Sequence, residues 1–168
     1  FTAIYTNLAT YYTTMLHDVV SGEKYARMAL AIRLKEDPPN LPKILMARWK
    51  VGEALFSMER YDSAMQIYDE ISREQLVNGD TAGFIGLSAN VAFCHTALGH
   101  YDVADSMYRY LLIMSERPGI EPYFHYQNLV GMGRVYCRAE DAPSAVVYLR
   151  SALMMEQSPQ GVATEDAW

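Results

Sequence analysis

The chain is poor in the residues that would announce several common protein classes. Its 168 residues include only two cysteines, Cys94 and Cys137, too few for a disulfide framework. Long apolar runs are missing: Met28-Ala29-Leu30-Ala31-Ile32 is among the longest, whereas a membrane span needs about 20 such residues. There is no secretory apolar core either. Basic residues are outnumbered, 14 Lys+Arg against 20 Asp+Glu for a net charge of −6, a balance that repels phosphate backbones. Arg134, Arg138 and Arg150 form the one basic cluster, too little for a nucleic-acid interface.

Catalytic and metal-binding patterns are equally scarce. Gly131-Met132-Gly133 lies inside a helical pattern and lacks the later glycine and lysine of a phosphate-binding loop. His17, His95, His100 and His125 show no metal-ligand spacing, and Cys94-His95 has no second pair. Glu53, Glu59 and Asp62 come with no sign of a pocket that would raise one carboxyl for acid/base work. The expectation is therefore no enzyme, no cofactor and no metal, with both cysteines as buried free thiols.

What the chain does have is apolar content, 51% of its residues. That suffices for a folded domain or short repeat array burying roughly 70% of its unfolded surface. Three gapless segments align: 45–76, 85–116 and 126–157. The alanines Ala64, Ala104 and Ala145 mark the register, spaced by 40 and 41 residues. Twelve positions before each stands a small residue, Gly52, Ala92 or Gly133; three before are Tyr61, Tyr101 and Ala142; four after are Tyr68, Tyr108 and Leu149. Ala26, after Ser21-Gly22, marks a fainter first copy.

Within each segment Val51, Leu55 and Met58, and then Met65, Tyr68 and Ile71, recur at helical spacings. Each unit is thus a pair of helices. Hairpin turns are expected at Ser21-Gly22, Glu59-Arg60, Gly99-His100 and Glu140-Asp141. Pro38-Pro39 with Pro42, Asn78-Gly79, Pro118-Gly119, and Pro159 with Gly161 would close the units. Pro143 suits the first turn of its helix, where no N–H is needed. Small residues belong where paired helices approach to about 8–10 Å, with a tyrosine or leucine filling the adjoining hole; Gly133 against Ala145 is the expected example.

Gly52…Tyr61-Asp62-Ser63-Ala64…Tyr68 and Leu98-Gly99-His100-Tyr101-Asp102-Val103-Ala104…Tyr108 resemble the tetratricopeptide repeat (TPR), a helix–turn–helix of about 34 residues. Gly133…Ala145…Ala152 matches in its small residues but carries Ala142-Pro143 in place of Tyr-Asp. The motif's early tryptophan is replaced by Arg48, Ser88 and Leu129, with Trp49 one residue later, and the period of 38–41 is longer. The resemblance covers about residues 3–157. It implies an all-α, right-handed α-α superhelix: one domain over 1–168, with hairpins near 3–37, 45–77, 82–117 and 123–157. Residues 158–168 would begin a further helix or cap.

In such stacks the first helices line a concave face. The resemblance then places Tyr11, Tyr12, Met15, Trp49, Lys50, Glu53, Phe56, Asn90, Phe93, Ala97, Gln127, Arg134 and Arg138 on a ligand groove. Aromatic side chains there offer large contact area with few rotors to freeze. Asn90 stands where relatives of the motif often use asparagine to bond a peptide backbone; Lys50 and Gly131 are its register equivalents. Arg134 and Arg138, one turn apart, could hold an acidic group. The TPR carboxylate clamp is not reproduced, because its lysine and asparagine positions hold Tyr11 and Met15, then Trp49 and Glu53.

The expected function is a non-enzymatic scaffold whose groove binds a protein or peptide segment. The alternative is a sensor or regulatory domain of a larger bacterial signalling or transcription-regulator protein, a context suggested by the start at Phe1 and by Ala163–Trp168, which read as a helix cut short. Weak self-association through a terminal repeat is a further expected contact, and no nucleic acid or membrane span is expected. The compartment expected from the absent disulfide framework is the cytoplasm, with the periplasm as the alternative.

Overall fold

The computed structural model describes residues 2–157. Among the described residues eight α-helices follow one another: α1 Thr2–Thr10, α2 Val19–Arg33, α3 Leu41–Ser57, α4 Tyr61–Val77, α5 Thr81–Ala97, α6 Tyr101–Ser115, α7 Pro122–Arg138 and α8 Ala142–Glu156. A π-helical turn, Tyr11–Met15, continues α1. No strand occurs among the described residues. The expected further helix at 158–168, with Pro159 and Gly161, lies outside them.

Local chemistry sets the helix starts. Asp18, Asn40, Asp80 and Asp141 each accept a bond from the backbone N–H three residues on, at Ser21, Lys43, Gly83 and Ser144, satisfying a donor that has no intrahelical partner. Hydrogen bonds from the Ser21 and Ser144 side chains, joined by these backbone bonds, hold the Asp18 and Asp141 carboxyls below their ordinary value. Pro42, Pro122 and Pro143 occupy the first turns of α3, α7 and α8, so Pro42 opens a helix rather than closing the preceding unit.

The later hairpin turns repeat one geometry. Glu59, Gly99 and Glu140 are left-handed, with φ of 57°, 80° and 59°. The next N–H in each case, of Arg60, His100 or Asp141, reaches back to the carbonyl of Leu55, His95 or Tyr136 at 2.9 Å, the bond pattern that commonly ends a helix. The first hairpin differs. Ser21-Gly22 is not its turn but lies within α2, because the Asp18 cap starts the helix earlier; residues 16–18 make the connection. Gly22 is buried, and a Cβ there would strike Thr13. It is a crossing-point glycine.

The chain divides into two compact units, at the bond between Ile71 and Ser72 inside α4. In the first, α2 packs on α1 and α3, and α1 touches α3. Its core includes Ala26, Ala29, Val51, Ala54, Leu55, Ala64, Tyr68 and Ile71, none more than 3% exposed. In the second, α5 packs on α6 and α7, α6 on α7, and α7 on α8, around Ile85, Ala92, Ala104, Tyr108, Leu111, Met132 and Val135. First helices therefore touch the next first helix within each unit.

The register alanines Ala26, Ala64, Ala104 and Ala145 are all buried. The glycines, however, meet not these alanines but the bulky residue four positions later. A Cβ on Gly52 would lie 2.7 Å from the Tyr68 ring, and one on Gly133 would lie 2.5 Å from Leu149. Gly133 thus nests Leu149 rather than Ala145. On α5 the equivalent position, Ala92, carries a methyl, and the Tyr108 ring finds its slot at Gly131 of α7. Its hydroxyl donates to the Ala89 carbonyl at 3.2 Å, and burial pushes the phenol pKa well up.

A polar network also joins the last two hairpins. Asp105 on α6 accepts from the Tyr136 hydroxyl at 2.6 Å and from Arg109 Nε at 2.7 Å, while Arg109 also donates to the Tyr136 oxygen at 2.9 Å. Tyr136 stacks on Tyr148 of α8, with centroids 5.5 Å apart and planes 3° from parallel. Burial alone would raise the Asp105 pKa. The bonds from Arg109 and Tyr136 and the charge of Arg109 outweigh it, and the carboxyl sits below its ordinary 3.8. A lowered folded-state pKa contributes stability above the unfolded value that is lost as pH falls. Asp105→Asn should cost about 1 kcal/mol at neutral pH, and the gap to wild type should close as pH drops below the ordinary carboxylate value, as read by denaturant unfolding across pH.

Candidate functional site

The sequence-derived face residues fall into one set in each unit. In the first unit, α3 carries Trp49, Lys50, Glu53 and Phe56, all half-buried. Lys50 pairs with Glu53 at 2.8 Å and lies 4.7 Å above the Trp49 ring, while Phe56 meets Tyr61 edge-on at 5.4 Å. Tyr11 and Tyr12 fall in the π-helical turn rather than a regular helix. Tyr12 stacks on Tyr25 of α2 at 5.3 Å, so its ring packs within its own hairpin, whereas Tyr11 is exposed. Met15 is exposed as well.

In the second unit the face is built from α5 and α7. Phe93 on α5 lies 5.5 Å below the guanidinium of Arg134 on α7, a cation–π approach that orients the arginine. Arg138 follows one turn later. Both arginines are exposed, and neither has a carboxylate partner among the described residues. Nearer the start of α7, Asn90 and Gln127 line one open cleft of about 160 Å³ together with Gly86, Phe124 and Asn128. Gly86 makes room for the Phe124 ring, 3.3 Å from where a Cβ would stand. Every residue lining this cleft is uncharged.

Sequence reasoning missed Asn128. Its side chain is completely buried, and among the described residues neither Oδ1 nor Nδ2 has a partner. The available signal was positional. Asn128 stands in register with Ala47 and Leu87, which are buried and apolar.

Also missed was the contact of His95 with His100, whose Nδ1 atoms lie 3.3 Å apart across a hairpin turn. His125 Nδ1 is 3.0 Å from the Ser115 hydroxyl. Among the described residues, no group of three or more His, Cys, Asp or Glu side chains is placed to hold a metal. On α8, Val146, Val147, Leu153 and Met154 are exposed.

No family model matches the chain, and no curated protein matches it. Solved structures do. The apo form of RapI aligns with a TM-score of 0.72 at 18% identity, over 92% of this chain and 55% of that one. BtubC (BKLC) from P. vanneervenii gives 0.73 at 18% identity, over 91% and 62%. The nearly identical TPR-like repeats of a Podosopora anserina putative kinesin light chain give 0.70 at 14% identity, over 94% and 79%. The likeness is one of fold: the chain is an all-α protein of TPR-like helical repeats. It spans 55% and 62% of the first two structures. No described helix is long and apolar enough to cross a membrane.

The two thiols differ, and the expectation that both are buried is corrected for Cys137. Cys94 is fully buried on α5, but Cys137 is exposed; its register position on α7 differs from that of Cys94, whose equivalent there, Val135, is buried. Ellman's reagent should titrate one thiol rapidly in the native protein and the second only on unfolding. Cys137→Ser should abolish the fast phase.

Proposed function

We propose that this chain is a non-enzymatic recognition module that holds an extended peptide or protein segment on its first-helix faces. The reading rests above all on the α5–α7 face, where Asn90 and Gln127 border one cleft and two arginines without a carboxylate partner among the described residues stand farther along α7. Asparagine and glutamine carboxamides each offer both a donor and an acceptor, the complement of a peptide backbone. Arg134 and Arg138 supply charge-assisted bonds for an acidic side chain or a terminal carboxylate. On the first unit, Trp49 presents a large ring that Lys50 covers on one side, and an aromatic of this kind anchors a bound chain at little entropic cost. Lys50 and Glu53, already paired with each other, set charge complementarity more than affinity.

Fluorescence-polarisation titration of an acidic peptide library against wild type, Trp49→Ala and Arg134→Ala tests the reading. Arg134→Ala should weaken the selected peptides about tenfold, equivalent to about 1.4 kcal/mol, and raised salt should weaken wild-type binding toward the variant's level. Trp49→Ala should weaken those peptides that carry an apolar anchor. Binding indifferent to both changes would place recognition on another surface.

A further inference from the structure

We infer that the cleft between α5 and α7 is an anchor pocket for a neutral carboxamide side chain, a glutamine or asparagine of the bound segment, received by Asn128. This rests on the peptide-binding reading above and specifies the guest at one subsite.

Asn128 is a cost the fold does not require. At the equivalent position of the preceding units stand Ala47 and Leu87, 6% and 7% exposed, so an apolar residue serves the packing there. Asn128 is 0% exposed with both polar atoms unpartnered. A buried donor or acceptor left unmade forfeits its bonds to water without replacement, so this residue weakens the fold unless something else bonds it. It is one of three carboxamide-bearing residues lining the cleft, with Asn90 and Gln127, and its own amide lies just beneath that lining, so a guest reaches it as the lining side chains shift.

The space and its lining select the guest. At about 160 Å³ the cleft is close to the ~150 Å³ cavity that accepts a six-membered ring, and a glutamine side chain is slightly smaller than such a ring. Its apolar stem would lie along Gly86 and Phe124. The uncharged lining disfavours a carboxylate or ammonium, because a desolvated charge needs a paired partner. An aliphatic guest fills the volume but leaves Asn128 unbonded. A primary carboxamide presents a donor and an acceptor side by side on one edge, matching Oδ1 and Nδ2 of Asn128 together.

The test is NMR titration of the full ¹⁵N-labelled chain with N-acetyl-glutaminamide, using N-acetyl-leucinamide and N-acetyl-glutamate amide as comparators. The glutamine probe should shift the Asn128 side-chain NH₂ pair saturably, with responses to the other two at least tenfold weaker at equal concentration. Asn128→Leu, which installs the residue found at position 87, should abolish the response while thermal stability is kept or raised. If that variant fails to fold, the three-probe comparison on wild type decides alone.

An equal response to the leucine probe, or none to glutamine, would overturn the inference. So would a long-lived water at the Asn128 amide that persists at saturating probe. If library peptides bind in an Arg134-dependent way yet ignore Asn128→Leu, the pocket assignment fails and the wider reading stands. If no peptide binds at all, it is the wider reading that fails.

Discussion

Close approach between helices at positions without bulk is the constraint on which the rest of this structure depends. Helix pairs can nest only where a side chain on one finds a slot on the other. Here the slots are Gly52, Gly131 and Gly133, filled by Tyr68, Tyr108 and Leu149, and the register alanines are buried, at 0–3% exposure. Tyr108 does the most, since its ring enters α7 while its hydroxyl bonds α5. One side chain therefore ties both helices of a hairpin to the first helix of the next.

That arrangement determines what is left free. Helices α2 and α6 each pack on the first helix of their own hairpin and on the next one, and α5 and α7 meet side by side. Their remaining faces carry Asn90, Phe93, Gln127, Arg134 and Arg138, with the Arg134 guanidinium lying over the Phe93 ring. Tyr136, by contrast, sits on α7 but is drawn into the Asp105–Arg109 network and the stack on Tyr148. The same helix thus supplies both a structural seam and the face proposed for recognition.

The repeat was legible because it is written in residue size. Alanines at 64, 104 and 145 could be found by spacing alone, and three of the four turns follow from chain register, with left-handed residues at 59, 99 and 140. The first turn was misplaced because glycine has two uses. Gly22 looks like a turn residue and serves instead as a crossing point for Thr13. The partner of Gly133 was misjudged for a related reason: spacing identifies which positions are small, but not which neighbouring side chain turns into the gap. The candidate face was legible only as membership of a helix face. That Asn90 and Gln127 share a cleft, that Arg134 lies on Phe93, and that Tyr12 stacks within its hairpin all depend on side-chain direction. Asn128 could have been noticed as a polar residue at an apolar register position.

A double-mutant cycle on Gly131 and Tyr108 tests the nesting most directly. Alanine is favoured over glycine inside a helix by about 0.8–1.0 kcal/mol, so Gly131→Ala should stabilise the protein unless the added methyl meets the tyrosine ring. We predict that Gly131→Ala destabilises the wild type by about 1–3 kcal/mol and becomes neutral or stabilising once Tyr108 is alanine, as read by denaturant unfolding. The same sign and size of effect in both backgrounds would contradict the account.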